Sequence, residues 1–243
     1  MTLLEMYQEL KTKTFVDLTH AFGPGIPHFP ALPNMEQDTI YTVEKDGFWV
    51  EKMTIVGQWG THADSPRHFS VGKRTLDEID VKEMFLPLVV IDMSQEAAQN
   101  PDKALSVEDI KKWESVHGPV PEGCFVALRT DWYKRWPDCD AIDNKDEQGV
   151  PHYPGYSLES LAYLYEERKI TASGHETPDT DCGISSARGE LPCEFYILDQ
   201  NHYQIEFMAN LDKVPPTGAL IVAAFPKLHK GSGFPARCFA ILP

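Results

Sequence analysis

Polar and apolar positions alternate along QDTIYTVEKDGFWVEKMTIVGQW (residues 37–59) on both sides of Lys45-Asp46-Gly47. A period of two around an Asp-Gly pair predicts a β-hairpin. Its second arm runs straight into GQWGTHADSPRHF (57–69), which places that polar stretch where a strand ends. Further strands are predicted at TFVDLTHAF (14–22), LPLVVIDMS (86–94), CFVALRTDW (124–132), ITASG (170–174), GALIVAAF (218–225) and ARCFAIL (236–242). The Pro- and Gly-rich GPGIPHFPALP (23–33) excludes a helix after the first of these. Helical spacing occurs in SVEDIKKWESVHG (106–118), where Ser106 and Asp109 form an approximate capping box, in SLESLAYLYEERK (157–169), and in the amphipathic amino terminus. The pattern is that of a mixed α/β protein: a strand-rich mixed sheet with a few flanking helices, in one domain spanning 1–243 without internal repeats.

Composition narrows the classes. With 243 residues, 42% of them hydrophobic, the chain can bury one substantial core. No apolar run is long enough to span a bilayer, and the amino terminus lacks the features of a signal peptide, so a soluble, cytoplasmic protein is expected. Five scattered cysteines with no CxxC pair suggest reduced, structural thiols. A net charge of −15 argues against nucleic acid or an anionic membrane as partner and by itself carries no function.

The chemistry concentrates in residues 57–69. In an extended segment alternate side chains share a face, so His62 and Asp64 could reach one ion, and a turn at Pro66 could bring His68 back beside it. Gly57 and Gly60 remove side chains where the backbone must pass close to a neighbour, and Gln58 could add a neutral oxygen. The competing reading is a polar turn with Asp64 as an Asx-turn former. A metal site needs a further ligand from a distant part of the chain.

GTHADSPRH closely resembles the HxGTHxDxPxH signature of the cyclase family of metal-dependent hydrolases, which includes bacterial kynurenine formamidase and isatin hydrolase. Further matches follow in order: VDLTHAF…IPHFP, RTLDEID, LRTDW, YPGYS, GHETPDTD, IEFMANLD and GFPARCFAIL. The resemblance implies a swivelling β/β/α architecture and a homodimer or larger assembly. It also implies metal ligands at His62 and Asp64, a catalytic histidine at His68, and a metal-binding carboxylate at Glu206. Gln204, on the same strand face, is a competing ligand. Phe29 matches an aromatic position of the substrate pocket, and Trp59 offers a second apolar wall.

The match departs in two places. Gln58 replaces the first histidine of the signature, and Glu194 stands roughly where the formamidases place another ligand histidine, with His202 nearby but out of register. Both changes weaken a two-zinc site. One imidazole with carboxylates and an amide oxygen is a hard donor set, which favours a single Mn²⁺, with Zn²⁺ as the other candidate. Such an ion would bring the pKa of water from about 15.7 to about 7. An imidazole, titrating near neutrality, would shuttle the proton to the leaving group of a small amide, lactam or ester. The alternative is a metal- or ligand-binding protein of the same fold without activity. ASGHETPDTDCG (172–183) reads equally as a solvated turn or as a pocket or subunit contact, and His20 and His28 read as surface or rim residues. No GxSxG elbow supports a serine hydrolase.

Overall fold

The computed structural model describes all residues, 1–243. Thirteen strands occur in chain order: β1 Phe15–Asp17, β2 Glu36–Tyr41, β3 Val50–Thr54, β4 His62–Asp64, β5 Phe85–Asp92, β6 Ala104–Leu105, β7 Phe125–Arg129, β8 Gly155–Tyr156, β9 Ala172–His175, β10 Tyr203–Glu206, β11 Ala219–Ala224, β12 Gly233–Pro235 and β13 Arg237–Ile241. Nine build one curled mixed sheet in the order β1-β13-β11-β5-β7-β9-β10-β4-β12. Its centre, β5-β7-β9-β10, is parallel, and both flanks are antiparallel.

Alternation along the central strands feeds two cores. Leu86, Leu88 and Val90 of β5 with Phe125 and Ala127 of β7 join Ile205, Ile221 and Ala240 inside the curl. Val89, Ile91, Val126 and Leu128 face the other way. They are covered by Ile110 and Trp113 of the Val107–His117 helix, Leu161 of the Leu158–Ala162 helix, and Ile197 and Leu198 of the Pro192–Asp199 helix. The registers Val126↔Ser173, Ser173↔Gln204 and Gln204↔Asp64 carry this helix-side face from apolar to polar across the sheet. The polar end is the site.

The hairpin forms as predicted, with a helical turn, Val43–Asp46, at its tip and Gly47 left-handed at φ 80°. Its second arm ends at Thr54, and a loop separates it from β4, so His62–Asp64 is itself a strand rather than the end of one. The first strand is shorter than its apolar run: past Asp17 the chain leaves β13, and Thr19 makes an isolated antiparallel bridge to Met208 instead. Ser106 and Asp109 form the full reciprocal box: the Asp109 N–H donates to Ser106 Oγ at 3.2 Å and the Ser106 N–H to Asp109 Oδ2 at 3.0 Å. The helix expected over 157–169 splits into Leu158–Ala162 and a π-helical turn, Tyr163–Glu167. No helix is long and apolar enough to cross a membrane. All five cysteines are free, and only Cys139 is exposed.

Candidate metal centre

The antiparallel register of β4 against β10 sets Glu206 opposite His62 and Gln204 opposite Asp64. Period-two alternation turns Ala63 and Ile205 into the core inside the curl and leaves the other four side chains together on the helix-side face. Two glycines make the approach of the flanking loop possible. A Cβ on Gly57 would stand 2.3 Å from the Gly233 carbonyl oxygen, and one on Gly233 would stand 2.2 Å from Gln58 Nε2. The close backbone approach expected at Gly57 is therefore present.

His62 is prepared to bind a cation. Its Nδ1–H donates to the Gly60 carbonyl at 2.8 Å, which fixes the ring and aims Nε2 at the carboxylates. Nε2 is buried without a hydrogen-bond partner and lies 3.4 Å from Asp64 Oδ2 and 3.5 Å from Glu206 Oε2. Donors about 2.1 Å from one ion are themselves separated by ~3.0–3.4 Å. The three atoms thus fit a single divalent cation and leave further coordination positions toward the cavity.

The electrostatics agree. Burial lowers the affinity of His62 for a proton, but Asp64 and Glu206 beside it outweigh burial and raise its pKa to about 9. Burial also works against ionised Asp64, yet His62, His68 and the Gln58 amide hold it well below the usual carboxylate range. Glu206 is pushed well above its ordinary value by burial and by Asp64. Asp179 rises to about 7 through burial and Asp181, against its bond from Ser186. A divalent cation held there would offset this concentration of buried carboxylates.

Both glutamines take a different task from the ligand roles expected of them. Gln58 Nε2 donates to Asp64 Oδ1 at 3.1 Å. Gln204 accepts from Thr180 Oγ1 at 2.5 Å, and its Nε2 reaches Glu206 at 3.0 Å, Glu194 at 3.3 Å and Asp64 at 3.4 Å. In this geometry both amides orient the carboxylates as donors. Sequence reasoning missed Glu194, which is buried and 3.9 Å from His68 Nε2. Its one signal was its place near a family histidine, since an acid in the first turn of a helix ordinarily reads as a dipole partner. The solvated-turn reading of 172–183 is overturned: His175, Glu176, Asp179 and Asp181 are all buried. Burial lowers His175 to about 4 and raises Glu176 to about 8.

A cavity of about 210 Å³ opens over the cluster. Phe29, Leu32, Phe69, Pro178, Leu191 and Phe207 form its apolar wall, with Gln58, His62, Asp64, His68, Asp179, Glu194 and Glu206 as its polar part. Phe29 is among the residues lining this cavity. Trp59, expected as a second wall, is not: it is fully buried in a small core with Ile26 and Met35 and donates to the Gly23 carbonyl at 3.2 Å. His20 stacks on Trp136 at 4.2 Å, His28 bonds Ile26 O, and His202 bonds Thr171 O, all outside the cluster.

Two solution tests follow. A divalent cation at 100 times its Kd should add about 2.7 kcal/mol to folding stability, and a chain of this length should then melt about 5–10 °C higher, readable by calorimetry. Because ligation requires neutral His62, affinity should climb as pH rises toward about 9 and fall in acid, with proton release on binding. A Kd constant between pH 6 and 9 would contradict His62 as ligand.

Comparison with known proteins adds an independent line. A profile described as Putative cyclase matches residues 16–182. The isatin hydrolase of Roseibium aggregatum is 35% identical over 242 residues, covering 94% of this chain and 91% of that protein. A crystal structure of an isatin hydrolase bound to the product analogue thioisatinate superposes with a TM-score of 0.92 at 32% identity over 100% of both chains. Isatin hydrolase A from Ralstonia solanacearum gives a TM-score of 0.91 at 31% identity, over 100% of this chain and 98% of the other.

Proposed function

Because this chain belongs to the cyclase family, we propose that it is a metal-dependent amidohydrolase that cleaves the C–N bond of a small cyclic or formyl amide, with lactams of the isatin type as the leading class. The observation that carries this reading is the orphaned His62 Nε2 between two carboxylates, on the floor of a cavity that His68 also lines. A divalent ion there supplies Lewis acidity worth several kcal/mol of charge stabilisation. His62, Asp64 and Glu206 are its proposed ligands, and their hard donor set favours Mn²⁺ over Zn²⁺.

His68, on a 3-10 turn begun by Pro66, reaches the cavity with its side chain 31% exposed. It takes a proton from the attacking water and returns it to the departing nitrogen. A binding protein would not need that imidazole. A cavity near 150 Å³ admits benzene, so 210 Å³ suits one or two fused rings with their carbonyl. Its lining contains no Lys or Arg, which favours an uncharged substrate over one carrying a carboxylate. In a screen of isatins, lactones and formyl amides with and without Mn²⁺, neutral lactams should turn over only with metal. Metal-independent turnover, or none on any of them, would refute the reading.

We also propose a homodimer or larger assembly. The β2–β3 ribbon is exposed along both strands, with Ile40, Tyr41, Phe48, Trp49 and Met53 open. A two-stranded ribbon is marginal on its own in water, and a patch of this kind calls for cover. Light scattering should give at least twice the chain mass, and Trp49→Asp should lower it. A monomeric wild-type protein would contradict the assembly.

A further inference from the structure

Resting on the hydrolase reading above, we infer that Glu194 is the second group holding the attacking water, directly opposite His68. His68 Nε2 and Glu194 Oε1 are 3.9 Å apart, too far for a mutual hydrogen bond. One oxygen making two bonds of about 2.8 Å spans that gap. A water seated there gives one hydrogen to His68 Nε2 and the other to Glu194 Oε1, so its lone pairs turn toward the remaining open side, where the substrate carbonyl must lie.

Both groups are held for this. The Asp181 carboxylate accepts the N–H of Cys193 and of Glu194, each at 3.1 Å. A remote acid thereby caps the Pro192–Asp199 helix, whose own N-cap, Leu191, has no side-chain oxygen, and it fixes the backbone that carries Glu194. At its far end the same helix is tied to the segment that carries His68. Ser70 Oγ donates to Asp199 Oδ1 at 2.8 Å, and Lys73 Nζ donates to the Asp199 carbonyl at 2.6 Å. The Glu194 carboxylate receives one protein hydrogen bond, from Gln204 Nε2 at 3.3 Å, which leaves it accepting capacity toward the cavity. A carboxyl oxygen accepts from water whether or not the other oxygen carries a proton, so the role does not depend on ionisation.

The step balances. The water O–H bond breaks with its proton passing to His68, the oxygen bonds the carbonyl carbon, and the carbonyl π pair moves onto its oxygen. Collapse breaks C–N, and the nitrogen takes the proton from His68. Glu194 only orients the water and ends unchanged.

The test compares Glu194→Ala and Glu194→Gln in Mn²⁺-loaded protein, reading kcat, KM, metal content and melting temperature on one neutral lactam. Alanine should lower kcat by about 100-fold, with KM within about threefold and full metal content. Glutamine retains an acceptor oxygen and should stay within about tenfold of wild type. An alanine variant with wild-type kcat overturns the inference, as does a glutamine variant as slow as alanine. Loss of metal in both makes Glu194 a ligand and also overturns it. Should alanine unfold the chain, Glu194→Leu, similar in size and without an acceptor, takes its place. Failure of Glu194→Ala to slow a protein that His68→Ala does slow refutes this inference alone, whereas wild type without metal-dependent turnover refutes the underlying reading.

Discussion

Replacing Asp64 with alanine is expected to strip the protein of its divalent cation and to lower amide turnover by about a thousandfold or more. Asp64 is fully buried, and its Oδ2 faces His62 Nε2 at 3.4 Å. Its position is set by the β4–β10 strand register, which places it opposite Gln204 and two positions along the ladder from the His62–Glu206 pair. The Gln58 and Gln204 amides that point at it offer hydrogens, not lone pairs, in this geometry. Losing about 4 kcal/mol of Lewis-acid stabilisation corresponds to a factor near 10³. Elemental analysis of the purified variant beside wild type reads the first half of the expectation and steady-state kinetics the second. Asp64→Asn, which keeps the shape and the hydrogen bond from Gln58, separates loss of the ion from loss of the fold. A variant with wild-type metal content would remove Asp64 from the ligand set.

His68→Ala should behave in the opposite way, keeping its metal and losing kcat by about 10²- to 10⁴-fold. The imidazole is not part of the His62–Asp64–Glu206 group; it shares a neighbouring group with Asp64 and Glu194, and its side chain is 31% exposed. Its loss removes the proton carrier between water and leaving group while leaving the cation's donors in place. The diagnostic is the combination of unchanged metal content, an unchanged melting temperature rise with Mn²⁺, and collapsed turnover. Full activity in this variant would assign the proton transfers elsewhere, and loss of metal would make His68 a ligand.

What could be read from the chain follows the range over which its physics acts. His62 and Asp64 were legible together because strand alternation is local and fixes their common face within three residues. Glu206 was reached through resemblance, since the β4–β10 register that seats it beside His62 joins positions far apart in the chain. For the acids of 172–183 the sequence left a solvated turn and a pocket or subunit contact equally open, because a polar sequence carries no mark of burial. Buried, each finds its own donors: Asp181 accepts from the Cys193 and Glu194 N–H groups, Glu176 from those of Thr130 and Trp132, and Asp179 from that of Asp181. Trp59 failed as a pocket wall for a similar reason: an indole beside a site is as suited to core as to cavity, and only the Gly23 carbonyl and the Ile26–Met35 cluster decided it. The hairpin was legible from its period and its Asp-Gly turn, but the loop between Thr54 and His62 was not, because its alternation continues without a partner strand.

The most direct measurement is an anomalous difference map from crystals of the Mn²⁺-loaded protein. The account predicts one peak, about 2.0–2.3 Å from His62 Nε2 and from one oxygen each of Asp64 and Glu206, with the cavity side of the ion open. A map with no peak between those three atoms, or with its peak elsewhere in the molecule, would contradict it.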